Sequence, residues 1–256
     1  MVWRDSETAA GARGQGLSNH EAEAARLQPE DSSTFVHSSA LLNGLSPSEL
    51  AQLMAGAHAR TYNRNETLFM QGHPIRQVVL LQSGCVKLTQ LSSSGNEVIL
   101  WLNGKGDAVG AQSLFSNCSH SCSAHVIEQC KALVWDSAKF ERILAEMPCI
   151  RRNLIQIQMS QLNELEQRFR EIATENVARR LAFAMVRLAK QVGKQSPQGI
   201  ELSLTREELA QLTGTTLFTI SRLLSKWTDL GIVTPRREAV LIRDLNGLKL
   251  LSVERD

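Results

Sequence analysis

The residues best suited to chemistry in this chain are two thiols and two imidazoles that lie close together. Cys118, His120, Cys122 and His125 fall within the short stretch "CSHSCSAH". Thiolates and imidazoles are good ligands for zinc and related metals, and thiols also respond to oxidants. The stretch is therefore a candidate metal or redox site, and the alternative is an ordinary polar loop.

An enzyme could use two of the same residues, with Cys122 as nucleophile and His125 as base. The sequence around them, "SAHVIEQCKALVWD", has the pattern of β-strands. Positions i and i+3 on a strand point to opposite faces of a sheet. We therefore expect no catalytic site here and predict that the protein is not an enzyme.

Residues 212–227, "LTGTTLFTISRLLSKW", combine an apolar helical face with a polar one. The apolar positions recur in steps of three and four and are Ile220, Leu223, Leu224 and Trp227. At about 100° per residue, the opposite face carries Phe218, Ser221, Arg222 and Ser225. Arginine and serine suit a solvent-exposed face, whereas the apolar ring of Phe218 is unfavourable in water and needs a partner there.

The elements around this helix complete a winged helix-turn-helix pattern. Thr205 and Glu208 form a capping box that predicts the start of a short helix, and Gly214 is expected to end it. After the second helix, "GIVTPRREAVLIRDL" predicts two short strands around a basic turn at Arg236 and Arg237. In this motif the outer face of the second helix enters the DNA major groove. The alternative is a helical pair used for packing alone.

The side chains on this outer face suit base and phosphate contacts. Arg222 can donate two hydrogen bonds to a guanine edge, and short side chains beside it allow the helix to sit deep in the groove. Residues at the helix margins and in the basic turn suit phosphates. The predicted DNA-contacting residues are Thr215, Thr216, Phe218, Thr219, Ser221, Arg222, Ser225, Lys226, Arg236 and Arg237.

The composition is that of a globular protein, with 43% hydrophobic and 21% charged residues. No apolar run approaches the ~18–20 residues of a membrane span, and the N-terminus has no apolar signal segment. We therefore expect a cytoplasmic protein without a membrane partner. The five cysteines are an odd number, which argues against a disulfide framework. The net charge of +2 neither indicates nor excludes nucleic-acid binding, which would depend on a local basic face.

The pattern divides the chain into four parts and predicts an α+β fold. Residues 1–39, rich in small and polar types, are expected to form a flexible arm. Residues 40–147 predict an antiparallel, jelly-roll-like β roll that senses a signal, with separate strands joined at Ser83 and Gly84. Residues 148–172 predict a long dimerisation helix, and residues 173–256 the winged helix-turn-helix.

The long helix carries one apolar stripe in steps of three and four between polar flanks, as in a coiled-coil seam. Because no second helix is evident beside it, we predict a two-fold dimer. The alternative is a stripe that packs on its own β roll. The predicted seam residues are Ile155, Met159, Leu162, Leu165, Phe169 and Ile172.

The order of these parts resembles the Crp/Fnr transcription regulators. "FMQGHPIRQVVLLQSGCVKL", "GDAVGAQSLF" and "SAHV" are similar to their cyclic-nucleotide-binding roll. "LSLTREELAQLTGTTLFTISRLLSKWTDLGIV" is similar to their DNA-binding domain. The resemblance implies a homodimer on two promoter half-sites about one helical turn apart, contacting RNA polymerase. Activation is the expected outcome, and repression is the alternative.

Within the recognition segment, Ser221 and Arg222 match the Ser-Arg pair that oxygen-regulator-like members use on DNA. Many members place an acidic residue four positions before that arginine, and this chain has Phe218 there. A thymine methyl group is an apolar partner in the major groove. We therefore hypothesise that Phe218 reads a T·A pair, and the alternative is that its ring packs under the first helix.

The resemblance also identifies an effector pocket, and its residues argue against cyclic AMP. The family's ribose-binding glutamate falls on Ala111, and the phosphate-binding arginine falls on Cys122. The pair that holds the base falls on Leu165 and Glu166. A buried cyclic phosphate without a cation is costly, so cyclic AMP is not expected. The predicted pocket residues are Ala111, Gln112, Cys122, Ser123, Leu165 and Glu166.

Two cofactors that members of this family use are candidates for the sensor. An iron–sulfur cluster is not expected, because no cysteine precedes Cys85, whereas such members place three near the N-terminus. The helix-turn-helix stretch is most similar to nitric-oxide-responsive denitrification regulators, for some of which haem is proposed as the sensor. Haem or another gas-responsive group is therefore a candidate. Its ligand would come from His37, His73, His120 or His125.

Overall fold

The computed structural model describes residues 35, 38–93, 95–111, 114 and 119–253. The predicted flexible arm, apart from residues 35, 38 and 39, lies outside this part of the chain, as do Gln112, Cys118 and His37. A short 3₁₀ turn spans Ala40–Leu42. The α-helices are α1 (Pro47–Ala55), α2 (Ser137–Glu146), α3 (Pro148–Thr174), α4 (Val177–Gln191), α5 (Arg206–Thr213), α6 (Leu217–Asp229) and α7 (Leu245–Val253).

The strands form two antiparallel sheets, and the predicted α+β fold is confirmed. The first sheet has the order β1-β6-β3-β4, with β2 paired to β6 and β5 to β3, and the second has the order β7-β8-β10-β9. The strands are β1 (His58–Tyr62), β2 (Thr67–Phe69), β3 (Gln77–Leu91), β4 (Glu97–Asn103), β5 (Ala108–Val109), β6 (Ser123–Asp136), β7 (Lys194–Ser196), β8 (Gly199–Leu202), β9 (Val233–Pro235) and β10 (Val240–Ile242).

The predicted break at Ser83 and Gly84 is wrong, because β3 runs through both residues as one strand of 15 residues. Its partner β6 is likewise continuous over 14 residues. The pairing register shifts on both sides of Ser83, so the strands bend without ending. Gly84 has a φ of 87°, and a Cβ there would lie 2.3 Å from the carbonyl oxygen of Gln129. Glycine therefore marks a bulge here and not a turn.

The roll buries its apolar side against α1 and α2. The fully buried ring of Trp135 packs edge-on against Phe140 of α2, with centroids 5.7 Å apart. Its indole N–H donates to the carbonyl of Leu53 in α1 at 2.9 Å. One aromatic residue of β6 thus fixes both helices on the sheet.

The long helix α3 leaves the roll and leads to the C-terminal unit. Near its start, the Asn153 amide donates to the carbonyls of Leu41 and Asn43, at 2.9 and 2.7 Å. The helix is 27 residues long and ends at Thr174. Asn176 then caps α4 by accepting from the Arg179 backbone N–H at 3.0 Å. The change of direction between α3 and α4 is therefore set by a new helix start.

The two domains share one apolar core. Side chains of the roll contribute to the same buried cluster as side chains of the C-terminal unit, including Trp227. From the roll these are Cys85, Ile99, Leu102 and Ile127. The C-terminal unit is therefore packed against the first sheet in this conformation.

Candidate nucleic-acid interface and sensor site

Helix α5 begins and ends as its sequence predicts. The Thr205 hydroxyl accepts from the Glu208 backbone N–H at 3.1 Å, and the Glu208 carboxylate accepts from the Thr205 backbone N–H at 2.9 Å. This is the reciprocal capping box. Gly214 adopts the left-handed conformation at the C-cap, with a φ of 62°. The turn that follows delivers the chain to α6.

Helix α6 has one buried and one exposed face. Its N-cap is Thr216, whose hydroxyl accepts from the Thr219 backbone N–H at 3.2 Å and lies 3.0 Å from the Thr219 hydroxyl. Ile220, Leu224 and Trp227 are buried in the shared core. Phe218 is 77% exposed, so it does not pack under α5. Its ring is free to meet a ligand at this surface.

The other predicted DNA-contacting residues also reach solvent. On α6 these residues lie on the same face as Arg222. Strand β9 of the wing packs against α6. The exposed members are Thr216, Arg222, Ser225, Lys226, Arg236 and Arg237, and the half-buried members are Thr215, Thr219 and Ser221.

The two wing arginines differ in their partners. The Arg236 guanidinium is paired with the carboxylate of Glu201 and donates to the Gln198 side-chain oxygen at 3.0 Å. Arg237 is exposed at the tip. Next to it, Glu238 forms an ion pair of 2.8 Å with Arg64, in the loop between β1 and β2. The wing tip is therefore in contact with the roll.

Leu217 is a surface residue that the sequence pattern does not reveal. It lies three positions before Ile220 and so falls on the apolar stripe, where a core position is expected. At the first turn of α6 this stripe emerges from the core, and Leu217 is 51% exposed. Two adjacent apolar side chains, Leu217 and Phe218, therefore start the recognition surface.

The predicted seam residues form an exposed apolar stripe on α3. None of them packs into a buried cluster of this chain, so the alternative of a stripe covered by its own roll is wrong in this conformation. The exposed fraction ranges from 38% at Leu165 to 74% at Phe169. The exposed members are Ile155, Met159, Leu162, Leu165, Phe169 and Ile172.

The predicted effector-pocket residues are divided between the roll and α3. Ala111 is buried with Trp135 and Phe140, and Cys122 is buried in a second apolar cluster of the roll. The Ser123 hydroxyl accepts from the Gln71 backbone N–H at 3.0 Å. Leu165 and Glu166 are exposed on α3. The two positions where the family resemblance leads us to expect a glutamate and an arginine are thus uncharged and enclosed.

His120 is a buried histidine of the sensor domain. It is 2% exposed, and its ring stacks on Phe69 with centroids 3.6 Å apart. Among the residues that the structure describes, none forms a hydrogen bond with its Nδ1. Burial, with a smaller contribution from His73, lowers the pKa of His120, so the ring is neutral near pH 7.

The candidate metal and haem ligands that the structure describes, His73, His120, Cys122 and His125, do not converge. Within the part of the chain that the structure describes, no group of three or more His, Cys, Asp or Glu residues could hold a metal ion. The Nδ1 of His125 lies 3.0 Å from the Thr67 hydroxyl, and His73 is exposed. His120 is almost fully buried, so no haem iron can reach its ring nitrogens in this conformation.

Burial also raises the pKa of the Cys122 thiol, which disfavours the thiolate that a nucleophile needs. The described cysteines are free thiols, namely Cys85, Cys122, Cys130 and Cys149.

Among the described residues, no helix is both long and apolar enough to cross a membrane.

Fold and surface together define a DNA-binding regulator built from a sensor roll and a winged helix-turn-helix. The family model "Cyclic nucleotide-binding domain" matches residues 59–147. The model "Crp-like helix-turn-helix domain" matches residues 179–251. The chain belongs to the Crp/Fnr family of transcription regulators and is not an enzyme.

The relatives include regulators named for different signals. A "CRP-like cAMP-activated global transcriptional regulator" of Mycobacterium tuberculosis is 26% identical over 81% of this chain and 94% of its own length. An "Anaerobic regulatory protein" of Haemophilus influenzae is 26% identical over 72% of each chain. The structure of FixK2 from Bradyrhizobium japonicum covers 78% of this chain and 99% of its own, with a TM-score of 0.67 and 21% identity.

Proposed function

We propose that this regulator acts as a homodimer that places two copies of α6 in the major groove of a two-fold promoter site. The observation that carries the proposal is the exposed face of α6, where Arg222 and Phe218 lie one helical turn apart. On the opposite face of α6, the buried side chains of Ile220 and Leu224 fix the helix to the core. In our proposal, contacts with RNA polymerase convert binding into activation.

The homodimer is supported by the apolar stripe on α3. Large apolar side chains repeated along one face of a helix are unfavourable in water, and a second copy of the same helix covers them by two-fold symmetry. The stripe runs from Ile155 to Ile172 and so reaches the end of α3 next to the DNA-binding domain. We therefore assign the stripe to the dimer interface.

The base-reading role of Arg222 is tested by Arg222→Ala. Because the side chain is exposed, folding is expected to be unchanged, whereas specific binding should weaken by ~1–3 kcal/mol per half-site contact. Lys226→Ala should instead weaken binding to all sequences to a similar degree, because a phosphate contact carries no sequence information. Unchanged promoter affinity and specificity in Arg222→Ala would refute the role, with Arg170→Ala on α3 as the matched control.

The role of Phe218 is tested on the DNA and the protein together. Replacing thymine by uracil removes the C5 methyl group and leaves base pairing unchanged. We expect one thymine of each half-site to be sensitive to this replacement in the wild-type protein and insensitive in Phe218→Ala. Equal effects in both proteins would show that the ring does not read the methyl group.

We infer that the roll responds to a signal other than cyclic AMP. Ala111 and Cys122 are enclosed by apolar side chains and offer neither a carboxylate for the ribose nor a cation for the phosphate. Titration calorimetry with cyclic AMP should show no binding. Binding at micromolar concentration would contradict the inference.

An absorption spectrum of the purified protein tests whether it binds haem, as proposed for some nitric-oxide-responsive members. A Soret band is the required observation.

A further inference from the structure

One arginine of the long helix bonds to both domains at once. The Arg168 guanidinium, on α3, donates to the carbonyls of Leu100 and Ile99 in β4, the latter at 3.1 Å. It also donates to the carbonyl of Leu212, in the last turn of α5, at 3.2 Å. Sensor sheet, long helix and helix-turn-helix therefore meet at a single side chain.

The sheet carbonyls are available because of an irregularity in β4. Leu88 pairs with Trp101 and Thr89 pairs with Ile99, so Leu100 is a bulged residue without a partner on β3. Strand β4 is also the last strand in the order of its sheet. A bulge on an edge strand can turn successive carbonyls to the same side, and buried carbonyls need donors. Arg168 supplies them.

The α5 carbonyl is available for a different reason. The last four carbonyls of a helix have no partner within the helix, and the C-terminal end of the helix dipole attracts cations. Leu212 lies in this final turn, just before Gly214 reverses the chain. A cation from α3 thus holds α5 at the point where it turns towards α6.

The surroundings keep this guanidinium in place. Its Cζ lies 5.8 Å from the centre of the Trp101 ring. One turn further along α3, the buried Glu171 pairs with Arg187 of α4 at 2.6 Å and accepts from Gln167 at 3.1 Å. Burial, and then Arg187, lower the pKa of Arg168, but arginine keeps its charge in proteins. Partly desolvated, charge-assisted bonds of this kind are strong.

Other contacts between the domains are ion pairs that do not involve Arg168. Lys87 lies 3.6 Å from Glu208, and Lys194 lies 2.6 Å from Glu128. Together with the shared apolar core, they keep the domains attached when Arg168 is replaced. The loss of Arg168 is therefore a loss of orientation, not of attachment.

We propose that Arg168 is a positioning residue that fixes the angle between the dimer seam and the helix-turn-helix. It lies between Leu165 and Phe169 on α3, so the helix that carries the seam also holds α5. This inference rests on the proposed dimeric DNA binding. It predicts that Arg168 sets the distance between the two recognition helices without affecting how each one reads its half-site.

The test uses the full-length protein and a duplex selected from a random library with the wild type. Binding is measured to this duplex, to a single half-site and to duplexes with one or two base pairs added to or removed from the spacer. Linking two half-sites should raise wild-type affinity by on the order of 100-fold, and spacer changes should abolish that gain. In Arg168→Gln the half-site affinity should stay within about twofold and the gain should fall by about tenfold, with a flatter dependence on spacer length.

Two variants make the result decisive. Arg170→Gln removes an exposed charge two residues away and should behave as wild type. Arg168→Lys can satisfy fewer carbonyls and should be intermediate, which a general loss of folding would not produce. An unchanged spacer profile in Arg168→Gln, or a parallel loss of half-site binding and thermal stability, overturns the inference. A wild type without any two-site gain instead contradicts the proposed function itself.

Discussion

Replacing Phe169 by alanine should separate the two protomers of the proposed dimer. The ring is 74% exposed in the single chain, and a phenylalanine side chain buries about 150–250 Å², so about 150 Å² is available for the seam. At about 25 cal/mol per Å², its removal costs about 3 kcal/mol per protomer after allowance for the alanine methyl group. Both protomers lose it, which gives about 6 kcal/mol, or roughly a 10⁴-fold weaker dimer.

Sedimentation velocity over a dilution series measures this change directly. Alanine favours helix, so α3 itself should remain formed. The matched control is Phe218→Ala, since Phe218 is 77% exposed but lies outside the seam. The control should remain dimeric at every concentration at which the wild type does. A dimer of Phe169→Ala within about twofold of wild-type affinity would refute the assignment of the stripe.

Three further variants test the fold and its protonation. Gly84→Ala should lower the free energy of unfolding by more than about 2 kcal/mol, because a Cβ at this positive φ would overlap the Gln129 carbonyl. A urea titration measures this loss, and an unchanged midpoint would refute the bulge. Thr205→Ala should cost about 1 kcal/mol through loss of the α5 cap, whereas Thr205→Ser should restore it. The pKa of His120 in the folded protein is below the usual 6.5, so the unfolded state binds a proton more readily. The contribution of neutral His120 to the free energy of unfolding is therefore present above pH 6.5 and is lost as the pH falls. Melting temperatures from pH 7.5 to 5.5 should therefore fall more steeply for wild type than for His120→Phe, and parallel slopes would refute the argument.

Local signals in the sequence predict much of the DNA-binding unit. Thr205 and Glu208, Gly214 and the apolar spacing from Ile220 to Trp227 each act within a few residues, and the structure shows the expected cap, turn and buried face. Such signals need no knowledge of distant contacts, which explains why they are reliable.

The failures arise where distant contacts decide. At Gly84 the serine-glycine pair has turn chemistry, but pairing with β6 holds the strand together through the bulge. At Leu217 the helical period is correct, yet the core ends before it. The bonds of Arg168 depend on the bulge at Leu100, a tertiary feature that no local pattern indicates.

The pairing of Arg236 with Glu201 has a consequence for the ionic strength at which this regulator can work. A cation that keeps its ion pair with a carboxylate of its own chain in the DNA complex displaces no counterion from DNA, although it counts as basic in the sequence. Each phosphate contact contributes a slope of about −0.9 to the logarithmic dependence of affinity on salt. With one such arginine in each protomer, the dependence should be shallower by about 1.8 than the number of basic residues on this surface suggests. Binding should therefore persist into higher salt.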